Sequence, residues 1–160
     1  CIIFHMTDLP YGRGGSPLQN LIVRGHRKTM ISAIQCVKEV DAGPIYIKKP
    51  LTLDGSAEEI YIRANKIIEE MILNLIKTNV KSKPQLGDVV SFPRRKPEDG
   101  NLINTKSLNE IYDYIRMLDA EGYPPAFIRF GDYKLEFSKA IQKTGSVEAE
   151  VRLTQEINNE

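Results

Sequence analysis

The spacing of hydrophobic and polar positions along this chain predicts short strands separated by three helices. Short apolar runs bounded by turn residues predict strands over residues 1–6, 29–37, 45–53 and 89–92. A hairpin is predicted over residues 126–137, because Gly131-Asp132 forms a two-residue loop that favours a type II′ turn. The tail is a candidate for one more strand through Val147 and Val151.

Three sequences of the form Ser-x-x-Glu/Gln stand where a helical pattern begins, and this form is typical of a capping box. They are Ser16-Pro17-Leu18-Gln19, Ser56-Ala57-Glu58-Glu59 and Ser107-Leu108-Asn109-Glu110. The first helix is predicted to be short and to end at Gly25. The second is the longest, and its apolar stripe is wide enough to lie against a sheet.

The order of these elements predicts an α/β sheet followed by a small trailing element. Residues 1–90 hold the strands and helices of the sheet, and residues 91–160 hold a linker, a helix and a hairpin. Polar and Pro-rich sequence over residues 79–105 predicts a loop at this boundary. Cys1-Ile2-Ile3-Phe4 has the pattern of a buried strand with no turn before it. We therefore expect the chain to be the downstream part of a longer protein.

Composition and charge exclude some classes of function. The chain is 41% hydrophobic and 27% charged, as globular domains are. Its 22 basic and 21 acidic side chains argue against a broad nucleic-acid surface, but they leave room for a small basic site for a phosphate. Charges interrupt every long apolar stretch, so no membrane span is predicted. Cys1 and Cys36 form neither a disulfide framework nor a zinc motif, which suits a reducing, cytoplasmic compartment.

Two places in the sequence carry candidate chemistry. His5 ends the first predicted strand, and a Gly-rich segment, predicted to be a loop, then leads to the first helix. A residue at that place either faces a ligand or bonds to a backbone group at the strand edge. Asp41 stands beside Gly43 ahead of a strand, where an Asp is either a turn former or a catalytic carboxylate.

Taken together, these two places resemble a known family. His5 is followed by Leu9-Pro10 and Arg13-Gly14, and Asp41-Ala42-Gly43 begins 36 residues after that His. This arrangement resembles the formyltransferases that use 10-formyltetrahydrofolate. The resemblance implies a Rossmann-like α/β sheet that lacks its N-terminal strands here, with a small C-terminal helix and hairpin extension. It implies an enzyme without a metal, in which His5 and Asp41 are catalytic.

The same resemblance implies which residues contact the folate. The strand-to-helix loop and the Asp loop flank the folate in this family. The residues at matching positions are Thr7, Leu9, Pro10, Gly12, Arg13, Gly14, Asp41 and Gly43. For Arg13 the sequence leaves a second role open, in which the side chain pins the loop to a carboxylate such as Asp8.

Later segments suggest the acceptor. Residues 91–99 resemble a segment of family members that act on amino sugars, and residues 115–120 and 123–127 resemble the helix and hairpin after the catalytic domain. The whole run, including residues 4–20, most resembles the branch from bacterial surface-sugar pathways, including pseudaminic acid synthesis. The acceptor of these members is an amino sugar linked to a nucleotide, so the resemblance predicts that Arg94 and Arg95 bind a diphosphate. The residues alone leave open that this basic run is only a solvated loop. Tyr123 either stacks on the base or sugar or covers the core. The methionyl-tRNA branch is expected to be the more distant match, because members of that branch carry a sizeable C-terminal domain for the tRNA and only a short stretch follows Asn101 here.

Two departures from the family pattern leave alternatives open. Ile3 stands where most members have an Asn that donates a hydrogen bond, and Asn20 is a candidate substitute. The family's N-terminal strands are not in this chain, so we expect a hydrophobic face of the sheet to be left without its usual neighbours. A second copy of the chain, in a homodimer, is one candidate to cover that face. A catalytically silent protein that binds folate or a sugar nucleotide, or serves in assembly, is therefore a third hypothesis beside the two acceptors.

Overall fold

The computed structural model describes residues 1–156, and the predicted α/β fold with a trailing helix and hairpin is confirmed. Its helices are α1 (Pro17–Val23), α2 (Ala57–Lys77) and α3 (Leu108–Arg116). Its strands are β1 (Ile2–His5), β2 (Tyr11–Gly14), β3 (Lys28–Gln35), β4 (Ile45–Thr52), β5 (Val90–Phe92), β6 (Ala126–Phe130), β7 (Tyr133–Lys143) and β8 (Ser146–Gln155). Among these residues, no helix is both long and apolar enough to cross a membrane.

The chain divides into two compact units. The first unit comprises residues 1–54 and 59–95, and the second comprises residues 55–58 and 96–156 of the part described. The predicted domain boundary between residues 90 and 91 stays a prediction.

An antiparallel sheet forms the centre of the first unit, with β3 between β1 and β4. His5, the last residue of β1, lies opposite Ser32 in β3. The strand β3 is buried over most of its length because apolar residues such as Ile31 and Ile34 fill both faces. The core of the unit also takes apolar side chains from both of its helices. This packing fixes the place at which β1 ends.

A second, smaller sheet holds the Gly-rich segment, which the sequence predicted to be a loop. Tyr11–Gly14 is a strand that pairs in parallel with Val90–Phe92. Gly14 has a φ of 102°, and a β-carbon there would lie 2.6 Å from the Phe92 carbonyl oxygen. Glycine is needed at this position both for its conformation and because the two backbones approach so closely.

The predicted helix caps have different outcomes. Ser107 caps α3 as predicted, because its hydroxyl oxygen accepts a hydrogen bond from the Glu110 N–H at 3.2 Å. The predicted cap at Ser16 is wrong. Ser16 adopts a left-handed backbone, and its hydroxyl oxygen accepts from the Arg95 N–H at 3.0 Å instead. Its side chain therefore joins the segment after β5 to the start of α1 rather than capping the helix.

The second unit contains α3 and an antiparallel sheet in the order β6-β7-β8. The predicted hairpin is present, with a φ of 57° at Gly131, but β7 continues to Lys143. Arg129 in β6 donates hydrogen bonds to two exposed carboxylates. These bonds, first to Glu98 and then to Glu156, raise the pKa of the guanidinium.

Candidate active site

The His5 imidazole is held at the end of β1 by two neighbours. Its Nε2 lies 2.7 Å from the carbonyl oxygen of Gly12, and the residue is only 7% exposed. Because a carbonyl oxygen can only accept, Nε2 must carry a proton. The other ring nitrogen, Nδ1, lies 3.6 Å from Asp41 Oδ2. The ring is therefore oriented between a fixed acceptor and a carboxylate.

The side chain of Asp41 is held in place as firmly as the His5 ring. Its Oδ2 accepts a hydrogen bond from the Gly14 N–H at 2.8 Å, and its side chain is largely buried. The backbone of Asp41 has a φ of 51°, in the left-handed region that Asp tolerates better than most residues. The loop after β3 thus folds back far enough to bring the carboxylate to the ring of His5. Their catalytic roles stay predictions.

Several residues predicted to contact folate support the loop from inside this chain. Thr7 is fully buried, and its hydroxyl donates to the same Gly12 carbonyl at 3.2 Å. Leu9 and Pro10 are buried and joined by a cis peptide bond. A β-carbon at Gly12 would lie 2.7 Å from the Thr7 methyl group. Their role in binding folate stays a prediction.

Arg13 has a partner that the sequence did not indicate. Its guanidinium donates to Gln85 Oε1 from Nε at 3.1 Å and from a terminal nitrogen at 2.7 Å. The alternative in which Arg13 pins the loop to Asp8 is wrong, since Asp8 bonds to Lys48 Nζ at 2.5 Å. Gln85 then donates from Nε2 to the carbonyls of Asp41 and Gly43, at 2.7 and 2.9 Å.

Position 43 requires a glycine for a steric reason. A β-carbon there would lie 1.8 Å from the carbonyl oxygen of Gln35, which is a backbone atom and cannot move away alone. Any larger residue would displace the loop that carries Asp41. The Asp-x-Gly spacing thus has a structural basis in this chain.

The structure argues against Asn20 as a substitute for the Asn that most family members have at the position of Ile3. Asn20 is 3% exposed, and its Nδ2 lies within hydrogen-bond distance of the carbonyls of Gly15, Ser16 and Pro93 at 2.9–3.1 Å. An amide nitrogen has only two hydrogens, so these carbonyls occupy both. Asn20 braces the loop and has no N–H left for a developing oxyanion.

The three predicted acceptor-binding residues lie in different places. Arg94 is exposed and lies shortly after β5, while Arg95 is half-buried and its N–H bonds to Ser16. Tyr123 belongs to the second unit and is 41% exposed, in the segment before β6. Their role in binding a substrate stays a prediction.

Two cavities flank the Asp41 loop within the first unit. One, of about 240 Å³, is lined by Asp41, Gly43 and the apolar side chain of Ile3. The other, of about 340 Å³, is lined by Arg13, Gly14 and residues of the Asp41 loop and β5. Both are lined by Glu39 and Val40, so this loop separates them. Within residues 1–156, no cluster of His, Cys, Asp and Glu is arranged to hold a metal ion.

Comparisons with known proteins decide the family. A family model described as methionyl-tRNA formyltransferase, C-terminal domain, matches residues 97–154. A solved structure of methionyl-tRNA formyltransferase from Clostridium thermocellum is 52% identical, with a TM-score of 0.94, over 97% of this chain and 69% of that one. The chain belongs to the formyltransferase family.

More distant matches of this formyltransferase chain agree with that placement. Methionyl-tRNA formyltransferase from Malacoplasma penetrans is 28% identical over 88% of the chain and 46% of its own length. The chain thus spans about half the length of the curated relatives it matches. The structure of WlaRD, a sugar 3N-formyl transferase in the presence of dTDP and 5-N-formyl-THF, is 18% identical with a TM-score of 0.57. That match covers 99% of the chain and 65% of WlaRD, and at this identity it shows the fold alone.

One expectation about this formyltransferase is corrected by these matches. The methionyl-tRNA branch was expected to be more distant than the surface-sugar branch, and it is the closer of the two. The short stretch after Asn101 had counted against a tRNA-type C-terminal domain. The model of that domain matches this stretch, so the argument fails.

Proposed function

We propose that the protein carrying this chain transfers a formyl group from 10-formyltetrahydrofolate to an amine. The observation that supports this most is the His5–Asp41 pair, with Nδ1 and Oδ2 separated by 3.6 Å beside the Gly loop. Folate as the co-substrate follows from the family resemblance. One cavity beside Asp41 has an apolar wall at Ile3, which suits a flat ring system such as pterin.

The reaction is an acyl transfer through a tetrahedral intermediate. The acceptor amine forms a bond to the formyl carbon, and the bond from that carbon to the folate N10 then breaks. One proton leaves the attacking amine and one proton reaches N10, so the products are a formamide and tetrahydrofolate. Imidazole is suited to carry this proton because it titrates near neutral pH.

His5 and Asp41 divide this work in our proposal. The Nδ1 of His5 accepts the proton of the amine, and the carboxylate of Asp41 stabilises the imidazolium that results. The imidazolium then donates the proton to N10. The Gly12 carbonyl keeps the Nε2 proton in place and so prevents the ring from turning away.

We propose the α-amine of methionyl-tRNA as the acceptor. The 52% identity to the methionyl-tRNA formyltransferase of Clostridium thermocellum and the domain match over residues 97–154 support this choice. In the proposal, the first unit carries the chemistry and the second contributes to binding the acceptor.

A nucleotide-linked amino sugar is a second candidate, because the charge of the second unit does not favour RNA. Residues 96–156 carry eight Lys or Arg and eleven Asp or Glu, whereas a surface that binds tRNA phosphates usually has an excess of positive charge. Arg94-Arg95-Lys96 is a short basic run that suits a diphosphate.

One assay separates these hypotheses. The protein, expressed from its complete reading frame, is incubated with 10-formyltetrahydrofolate and either methionyl-tRNA or a panel of nucleotide-linked amino sugars. Formamide product and tetrahydrofolate are measured together. Formylmethionyl-tRNA as the favoured product supports the proposal, and preference for an amino sugar supports the second candidate. Folate binding without any formamide contradicts both and supports a silent protein.

A further inference from the structure

Gln85 lies in the polar, Pro-rich segment before β5, where the sequence predicts a loop. Its side chain is half-buried and makes hydrogen bonds at both ends of the amide. One end accepts from Arg13 in β2, and the other donates to the carbonyls of Asp41 and Gly43. A single side chain thus connects β2 to the loop that carries the candidate carboxylate.

The chemistry of this position requires an amide. The Arg13 side presents N–H donors, so it needs an acceptor, and the Asp41 loop presents two carbonyls, so it needs a donor. Glutamate has nearly the same shape but cannot donate when ionised. An apolar side chain satisfies neither partner. Of the common side chains with this reach, only glutamine meets both needs.

The hydrogen bond from Gln85 to the Asp41 carbonyl restrains a residue whose backbone conformation is unfavourable. Asp41 has a left-handed φ of 51°, which costs free energy for a residue other than glycine. Its carboxylate is held by the Gly14 N–H, one residue after Arg13. Gln85 therefore restrains the main chain of Asp41, while Gly14 of β2 restrains its side chain, and Gln85 is itself bonded to Arg13 of β2.

We propose that Gln85 is a positioning residue, which holds the Asp41 carboxylate at His5 through the main chain of the Asp41 loop. This inference rests on the proposed formyl transfer and adds a residue to it. It also assigns Arg13 a supporting role: Arg13 orients the Gln85 amide, and it acts on the reaction through that amide.

The sharpest test is Gln85→Glu, with Asn65→Asp at an exposed position of α2 as the control of equal charge. The substitution keeps the contact with Arg13 but places a carboxylate against two carbonyls. We expect kcat to fall about tenfold to a hundredfold, because small misplacements of catalytic groups lower the rate by such factors. We expect KM for both substrates to stay within about threefold of the wild-type value. The control is expected to keep wild-type values. An unchanged kcat in Gln85→Glu would overturn the proposal.

A second readout does not depend on activity. Hydrogen exchange of the backbone amides over residues 12–15 and 40–44 is expected to accelerate in Gln85→Glu and in Gln85→Met, and not in the control. Gln85→Met serves as the variant without a new charge. If wild-type protein forms no formamide, the proposed function fails and exchange alone decides the role of Gln85. Unchanged exchange in both variants overturns that role.

A double-mutant cycle tests the part assigned to Arg13. Arg13→Met alone is expected to lower kcat, and adding it to Gln85→Met is expected to lower kcat no further, because both act through the same amide. A rise in KM of the same size in both backgrounds would show that Arg13 contacts a substrate directly. That result would overturn its supporting role.

Discussion

Polar side chains are used differently in two regions of this molecule. In the glycine-loop region, defined here as residues 5–20, 41–43 and 85, they bond mostly to backbone groups. His5 bonds to the Gly12 carbonyl and Asp41 to the Gly14 N–H. In the three-stranded extension, β6–β8, charged side chains mostly pair with each other. Lys139–Glu150 and Lys143–Glu148 are examples, with all four side chains more than half exposed.

The difference shows which contacts fix a geometry. A buried side chain that bonds to main chain locks the course of the backbone, and losing it leaves a polar group without a partner. An exposed ion pair is screened by water and salt and contributes little. We therefore expect substitutions in the glycine-loop region to have much larger effects than those in the extension.

The largest loss of stability is expected for Gly43→Ala. The new β-carbon would lie 1.8 Å from the Gln35 carbonyl oxygen, so the loop must move. We expect the free energy of unfolding to fall by more than about 3 kcal/mol, at the upper end of overpacking effects. Urea unfolding measures this change. Gly25→Ala is the control, because its φ is 79° but no atom lies within 4 Å of the new carbon. Gly43 itself has no left-handed φ, so a loss no larger than that of Gly25→Ala would show that the clash costs no more than backbone strain, which would contradict the prediction.

A smaller loss is expected for Asn20→Ala. The substitution removes the donor for three carbonyls at 2.9–3.1 Å in a buried place. We expect a loss of about 1–3 kcal/mol in the free energy of unfolding, the usual cost of unpaired buried polar groups. Exposed Asn104→Ala is the matched control and is expected to change little. If Asn20→Ala lowered the free energy of unfolding no more than the control does, that result would contradict the expected difference between the two regions.

The smallest effect is expected for Glu148→Gln in the extension. The ion pair with Lys143 has a distance of 2.8 Å, yet both side chains are more than half exposed. We expect a change below about 0.5 kcal/mol in the free energy of unfolding, which salt reduces further. Urea unfolding at low and high salt checks this. A loss above about 1 kcal/mol would contradict the idea that the extension tolerates the loss of single polar contacts.

Local patterns predicted most of the elements, because their signals lie within a few residues. The Ser107 cap and the hairpin at Gly131 are examples, since each depends on neighbours in the sequence. The strand β2 was missed because its partner β5 lies far along the chain. Glycines at its centre favour a loop locally, and only the pairing makes them part of a sheet.

The candidate site was predictable only in part, because local motifs are visible in the sequence and contacts between distant residues are not. His5 and Asp41 follow from a motif, and the structure brings them together. Gln85 was missed because nothing in its own neighbourhood distinguishes it, and all of its partners are distant in sequence. The alternative pairing of Arg13 with Asp8 was wrong, because Asp8 pairs with Lys48 of β4, which is distant in sequence, and Arg13 bonds to Gln85.

The central claim is that His5 and Asp41 act together on the formyl group. The most direct measurement is the single-turnover rate of formyl transfer in His5→Ala and Asp41→Asn, in protein from the complete reading frame, with folding checked by circular dichroism. We predict that each rate falls by about a hundredfold or more with the fold intact, as expected for loss of a preorganised catalytic group. A rate near that of wild type in either variant would contradict the account.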